Sequence, residues 1–445
     1  MYKRFLFVIL VVFSFIGCSS QKYLIRKVGD TDFTRRSFET ITDSLSLLKL
    51  LQYGYFDQAG DLLSQHPDSG SNEFILAEGM LNFYYGRKKE AEQPLLKVFK
   101  DDRDSTRIDL SFNTLCQLYL YHEKFDQLEG LINTARKKRI QIDSTDRMLS
   151  TAYGQMSPYD IQSSDSKTVV PMLISLSGCP TIKIEINNQG TETFWLDTGA
   201  GLNVISSDLA QKYGIHPITE GEGEAGTATD KKVPFQIGFI ESIQIGDIVV
   251  KNVPVMIFDS KYLKFKPLGF INLFRIDGVL GWPLLSKFKT TLNYPQQIVC
   301  FEPISVSKEG YETRNFFWYE IPFVEVAINS LYPMNFFFDT GANRSSLTPI
   351  GMRKMDSRFP KLKSSLGCTI GAGGAKFRKI QKLERATITI DKFNISPLTL
   401  SIHEDYNKHI IQKDGTLGGD ILRNFIVTLD PVQGRFILEH ISNNH

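Results

Sequence analysis

The chain has 445 residues, 42% of them hydrophobic and 22% charged. It is long enough for two to four domains and apolar enough to pack their cores. The formal net charge is only +2, with no basic helix, zinc-type Cys spacing or phosphate-cradling Gly loop in the sequence; a nucleic-acid partner is not expected, and neither is a metal or other cofactor.

Residues 1–17 read as a signal peptide. Lys3 and Arg4 make a positive start, and residues 5–16 are apolar apart from Ser14, too short a run to span a bilayer. The stretch Phe15-Ile16-Gly17-Cys18 resembles a bacterial lipobox. The resemblance implies lipidation at Cys18 and a chain tethered to the cell envelope. No acidic run follows Cys18, which points to the periplasmic face of an outer membrane. Residues 18–36 are expected to be a polar tether.

Residues 37–157 carry apolar side chains at helical spacing: Phe56, Ala59 and Leu63; Phe74, Ala77, Leu81 and Tyr84; Phe112, Leu115, Cys116 and Tyr119; Phe125, Leu128, Ile132 and Ala135. The segments Gly54–Ala59, Gly86–Ala91 and Glu123–Leu128 echo one another. The region therefore reads as all-α helical hairpins and resembles degenerate tetratricopeptide pairs, stacked because no pair alone can bury its apolar face. Pro94 predicts a kink or a late helix start. The region could bind a protein partner or act as a spacer above the membrane.

Residues 158–168 are polar and turn-rich, a predicted boundary. From Val169 onward short β-branched runs alternate with turns, and the signals repeat. Pro180–Ile186 and Pro322–Ile328 alternate apolar and polar residues; Phe194-Trp-Leu-Asp-Thr-Gly-Ala200 corresponds to Phe337-Phe-Asp-Thr-Gly-Ala342; Asp277-Gly-Val-Leu-Gly281 corresponds to Asp414-Gly-Thr-Leu-Gly418. Shared order and spacing predict two units of one kind, over 169–303 and 316–441.

In each unit a strand ending in Asp-Thr-Gly puts a carboxylate at the tip of an apolar core. Two such units facing each other would bring Asp197 and Asp339 together. Carboxylates a hydrogen bond apart share one proton, so one can activate water while the other protonates a carbonyl oxygen. The doubled Asp-Thr-Gly-Ala stretches with their Asp-Gly-X-Leu-Gly partners resemble the aspartic peptidases of the pepsin and retropepsin clan. The resemblance spans roughly residues 169–441. It implies a mainly-β bilobal acid-protease fold, Asp197 and Asp339 as the catalytic pair, and support of their loops by Thr198, Gly199, Thr340 and Gly341. It also implies flaps over the cleft, with Gly223 and Gly226 in one and Gly371, Gly373 and Gly374 in the other. Ala200 and Ala342 stand where pepsins carry Ser or Thr, as in retropepsins, and predict activity near neutral pH.

The expected function is aspartic endopeptidase activity on a peptide or protein substrate. The alternative is a silent scaffold that binds extended peptides in the same cleft. Asp277 and Asp414 are expected to be structural turn residues, Trp195 and Trp282 core, and His403-Glu404-Asp405 a solvated loop. Cys116, Cys179, Cys300 and Cys368 could pair in three ways; a Cys179–Cys300 bridge is possible, but buried free thiols fit their apolar flanks better.

Overall fold

The computed structural model describes residues 23–27, 45–66, 70–140, 142, 144–163, 167–219, 223–227, 229, 231–265, 274–304, 314–319, 321–330, 332–355, 362–403 and 410–441. The expected signal peptide, residues 1–17, and Cys18 lie outside the described residues.

The helical periodicity becomes helices α1 (Leu47–Gln52), α2 (Phe56–Gln65), α3 (Asn72–Tyr84), α4 (Lys88–Asp101), α5 (Ser105–Tyr121), α6 (Phe125–Lys137) and α7 (Ser144–Tyr153). Phe56 and Ala59, Leu76 and Met80, Leu115 and Leu118, and Leu128 and Ile132 are buried at i, i+3 or i+4. Ser71 and Asp104 cap α3 and α5 by accepting the Phe74 and Arg107 amides. The three echoing segments mark the turn within each helix pair, where Gly54, Gly86 and Glu123 all take positive φ. Helix α4 does not start late: it runs through Pro94, and buried Ala91, Leu95, Val98 and Phe99 hold it on both sides of the proline.

Lobe 1 is built from β2 (Asp160–Ser163), β3 (Thr168–Pro171), β4 (Leu173–Ile174), β5 (Pro180–Ile186), β6 (Gly190–Leu196) and β7 (Asn203–Ser206). It continues through α8 (Ser207–Lys212), β8 (Gly223–Gly226), β9 (Lys232–Ile245), β10 (Ile248–Phe258), β11 (Lys264–Phe265), β12 (Phe274–Arg275), β13 (Gly278–Leu280), α9 (Trp282–Leu285), β14 (Phe288–Asn293) and β15 (Ile298–Pro303). Lobe 2 comprises β16 (Phe316–Tyr319), β17 (Ile321–Ile328), β18 (Tyr332–Phe338), β19 (Ser346–Leu347), α10 (Pro349–Lys354), β20 (Lys363–Gly371) and β21 (Gly374–Ile390). It closes with β22 (Phe393–Ile402), β23 (Gly415–Leu417), α11 (Gly419–Leu422), β24 (Ile426–Asp430) and β25 (Arg435–Glu439).

The two main sheets have the same topology. Lobe 1 runs β2-β10-β7-β13-β6-β5-β9-β8, and lobe 2 runs β1-β22-β19-β23-β18-β17-β21-β20, where β1 is Leu24–Lys27. The repeated motifs owe their spacing to this: β13 lies parallel to β6, and β23 parallel to β18, directly behind each Asp-Thr-Gly strand. A five-stranded sheet, β25-β24-β14-β15-β3, joins the lobes. Across it Thr291 and Thr428, corresponding positions in the repeat, meet through their hydroxyls at 3.0 Å.

Two edges differ from expectation. The polar boundary contains β2, which pairs with β10; the polar tether contains β1, which pairs with β22 at the corresponding edge of lobe 2. The helices also do not stand apart from the lobes. Phe317, Tyr319, Ile321 and Phe323 share one buried cluster with Phe56, Met80, Tyr84 and Leu115. Asn335 Nδ2 donates to Tyr53 O at 2.9 Å, and the Gln412 amide to Gln52 O at 2.8 Å.

Candidate active site

Strand β6 delivers Asp197 and β18 delivers Asp339. Each amide is fixed from behind by the neighbouring parallel strand: Asp197 N–H donates to Leu280 O and Asp339 N–H to Leu417 O, both at 3.1 Å. The loops then interlock with two-fold symmetry. Thr198 Oγ1 donates across the interface to Phe338 O at 2.7 Å and accepts the Thr340 amide at 3.1 Å. Thr340 Oγ1 donates to Leu196 O at 2.6 Å and accepts the Thr198 amide at 3.0 Å. Both threonines are buried.

Gly199 and Gly341 are where the loops pass closest. A methyl group on Gly199 would lie 2.7 Å from Asp339 Oδ1, and one on Gly341 2.6 Å from Asp197 Oδ1. Any side chain there would drive the carboxylates apart. The two carboxyl groups face each other here, since the same Gly199 methyl position lies 3.0 Å from Asp197 Oδ1. Asp197 Oδ1 accepts the Gly199 amide at 2.8 Å; Asp339 Oδ1 accepts the amides of Gly341 at 2.8 Å and Ala342 at 3.0 Å.

Burial raises the pKa of both groups above the ordinary carboxylate value. For Asp197 the charge of Asp339 adds to the rise. For Asp339 the rise is opposed by the Ala342 amide, by the positive charge of Lys413 and by the Gly341 amide. The two therefore titrate as a pair that shares one proton.

The glycines named as flap candidates fall in two hairpins. Gly223 and Gly226 begin and end β8, which pairs with β9. Gly371 and Gly374 face each other at the end of the β20–β21 hairpin, and the turn there needs glycine, since Gly373 and Gly374 have φ of +84° and +114°. The hairpin tips touch. Thr229 Oγ1 donates to Ala372 O at 2.9 Å, Lys231 Nζ to Gly373 O at 2.7 Å, and the Gly373 amide to Tyr262 O at 2.9 Å.

The remaining candidates have partners other than the carboxylate pair. Asp277 pairs with Arg275, and Asp414 is fully buried against Lys354 Nζ at 2.7 Å and the Asn335 amide at 2.9 Å. Trp282 is buried and Trp195 packs on the core of lobe 1. His403 is half-buried, and Glu404 and Asp405 lie outside the described residues. Among the described residues no group of His, Cys, Asp and Glu is placed to hold a metal. Cys116, Cys179, Cys300 and Cys368 are free thiols, and only Cys179 is fully buried.

Two supports escaped the sequence reading. Asn203 Oδ1 accepts the Gly281 amide at 2.9 Å, and Ser345 Oγ accepts the Gly418 amide at 3.0 Å, tying each Asp loop to the strand behind it. Each lies six residues after its Asp, so aligning the two repeats position by position exposes them.

Residues 182–284, most of lobe 1, match the family model described as aspartyl protease. This stretch holds Asp197 and the Gly278–Gly281 segment behind it, and it marks an aspartic-protease domain. Among solved structures the chain is similar to a retropepsin-like aspartic protease from Rickettsia conorii, at 18% identity over 33% of this chain and 97% of that one, with a TM-score of 0.23. No curated protein matches the chain.

The threonine lock gives a direct prediction. Thr340→Val removes one buried hydroxyl, orphans the Thr198 amide and leaves Leu196 O without its 2.6 Å donor. A buried donor left unpaired costs about 1–3 kcal/mol. Urea unfolding should show a loss of that size, and kcat should fall more than KM rises, because the carboxylates lose alignment rather than the cleft its shape. An unchanged unfolding midpoint would show that the lock contributes nothing.

Proposed function

We propose that the chain is a membrane-tethered aspartic endopeptidase. The observation that carries the reading is the facing pair of carboxyls, Asp197 and Asp339, on loops locked by Thr198 and Thr340. In the proposed reaction a water lies between the carboxylates. The ionised member of the pair takes a proton from that water as it attacks the scissile carbonyl. The protonated member donates the shared proton to the carbonyl oxygen. The tetrahedral intermediate then collapses with proton transfer to the leaving nitrogen, and no covalent enzyme intermediate forms.

The active form of such a pair carries one proton. Raising the second ionisation extends that form upward in pH, and activity is lost on the alkaline side as the shared proton leaves. Burial raises both carboxyls here, and Ala200 and Ala342 provide no side-chain hydroxyl to lower them. The test is cleavage of a mixed peptide library across pH, with and without the transition-state inhibitor pepstatin. Substantial cleavage near neutral pH is expected. A profile peaking below about 3.5, the range of an unperturbed Asp, would contradict the pH assignment, and no cleavage at any pH would leave the scaffold reading in its place.

The tether is proposed from the residues around Cys18, with the periplasmic face of the outer membrane as its location. Palmitate labelling that persists in Cys18→Ser would rule the tether out.

A further inference from the structure

The chain leaves lobe 2 toward its N-terminus at a corner formed by β1 and β22. Strand β1 pairs along its whole length with β22, from Leu24↔Ser396 to Lys27↔Phe393, and Tyr23 and Ile25 pack on the core of the lobes. The Tyr23 hydroxyl stands in the fields of Asp420, Arg344 and Arg423, and burial is the chief cause that pushes its pKa up to about 12. Tyr23 is thus fixed to the body of the molecule. Five residue steps separate it from Cys18, a reach of at most about 18 Å when fully extended.

Lobe 1 meets the same corner. Arg423 Nη2 donates to Asn343 Oδ1 at 2.6 Å, and Gly178 closes on this pair: a methyl group there would strike Asn343 Oδ1 and lie 2.7 Å from Arg423 Nη1. Gly178 belongs to the tight turn in which its amide donates to Ser175 O and the Ser175 amide to Cys179 O. That turn presents Leu176, 68% exposed, beside Leu173, 60% exposed. Arg344, which follows Asn343, is exposed as well. Bare leucines, exposed arginine and the exit of the chain are therefore neighbours.

We propose that this corner, with Leu173, Leu176 and Arg344 at its surface and Tyr23 at its edge, rests on an anionic lipid bilayer. The proposal builds on the reading of Cys18 as the lipidated residue, because that reading sets how far the bilayer can be from Tyr23. Its chemistry is that of an interfacial contact: leucine side chains enter the headgroup boundary, and guanidinium groups meet lipid phosphates. Asn343 and Arg344 directly follow the Asp339 loop, so the contact holds one end of the cleft at the membrane surface. The helical region is then no spacer between bilayer and lobes, since the short link from Cys18 joins lobe 2 directly.

The experiment uses the full chain, purified from membranes and reconstituted in vesicles of phosphatidylethanolamine and phosphatidylglycerol. Brominated lipid should quench the fluorescence that Leu176→Trp adds over the parent chain, and should leave the added fluorescence of Lys97→Trp, on an exposed face of α4, unquenched. Adding Arg344→Glu to the non-acylated Cys18→Ser chain should weaken vesicle binding by about five-fold or more, the effect of one arginine at an anionic surface. Mass spectrometry of the N-terminus reads the anchor separately. An acylated Cys18 with no quenching of Leu176→Trp overturns the surface and spares the anchor. Quenching without acylation keeps the surface and removes the anchor.

Discussion

Asp197→Asn and Asp339→Asn are each expected to lower peptide cleavage by about 10⁴-fold, the upper range for loss of a general acid or base. Neither carboxyl can do both halves of the reaction. One carboxyl must be ionised to take the proton from water while the other holds the shared proton, and burial of both keeps that proton on the pair. The double Asn variant should be no worse than either single one, because groups that act as a unit lose their function once. Folding should survive. Asn keeps the shape of the side chain, and its amide can still bridge to the remaining carboxylate. Replacing one of two buried like groups also removes a source of repulsion, so the melting temperature of each variant should equal or exceed that of the parent at neutral pH. The comparison is made on kcat/KM with one cut peptide, alongside calorimetry. A single variant that retains a tenth of the parental rate would mean that the two carboxyls do not form one site.

Much of this site was legible because the sequence writes it twice. The interval between each Asp-Thr-Gly and its Asp-Gly-X-Leu-Gly partner reflects a parallel pairing, β6 with β13 and β18 with β23, so the motif itself encodes a contact between distant segments. That Gly223 and Gly226, and Gly371 and Gly374, sit in hairpins was legible from glycine alone, but the mutual contact of the hairpins was not. Thr229 and Lys231 donate to backbone carbonyls, which any residue supplies, so the pairing leaves no mark on the partner's sequence. Strand β1 was hidden for a different reason. Leu-Ile-Arg-Lys is short, and its partner lies in β22, hundreds of residues further on. Its exposed Leu24, Arg26 and Lys27 make it look like solvated chain. The fusion of helices to lobe 2 did leave a signal. Phe316-Phe-Trp-Tyr319 is apolar on both faces, the mark of a strand covered on both sides, while an outer strand of an antiparallel sheet normally alternates. One face meets lobe 2; the other had to meet something outside it.

That second cover is the helical region, and it predicts that residues 45–157 cannot be removed as a prosegment would be. Phe317 is buried, with its ring 5.1 Å from each of Phe56, Tyr84 and Phe323. The Tyr319 hydroxyl is hydrogen-bonded to Thr114 Oγ1 inside α5. Lys354, paired with buried Asp414, lies over the rings of both Tyr53 and Tyr55. A chain lacking residues 45–157 but keeping β1 would expose Phe317, Tyr319, Ile321, Phe323, Phe337 and Ile411 together, an apolar patch of the kind that drives aggregation. It is expected to be insoluble or to bind hydrophobic dyes without a cooperative melt. Phe317→Ala in the whole protein tests the same interface gently, with an expected loss of about 3–5 kcal/mol for a fully buried aromatic. That loss should appear in lobe and helices together as one transition, because the side chain belongs to a core that both share. If the truncated chain instead melts cooperatively and cleaves peptide at the parental rate, the shared core is dispensable and the helices are a separable domain. If the truncation fails while Phe317→Ala costs nothing, the helices are required through contacts other than this aromatic cluster, with the bonds from Tyr53 and Gln52 to Asn335 and Gln412 the next to break.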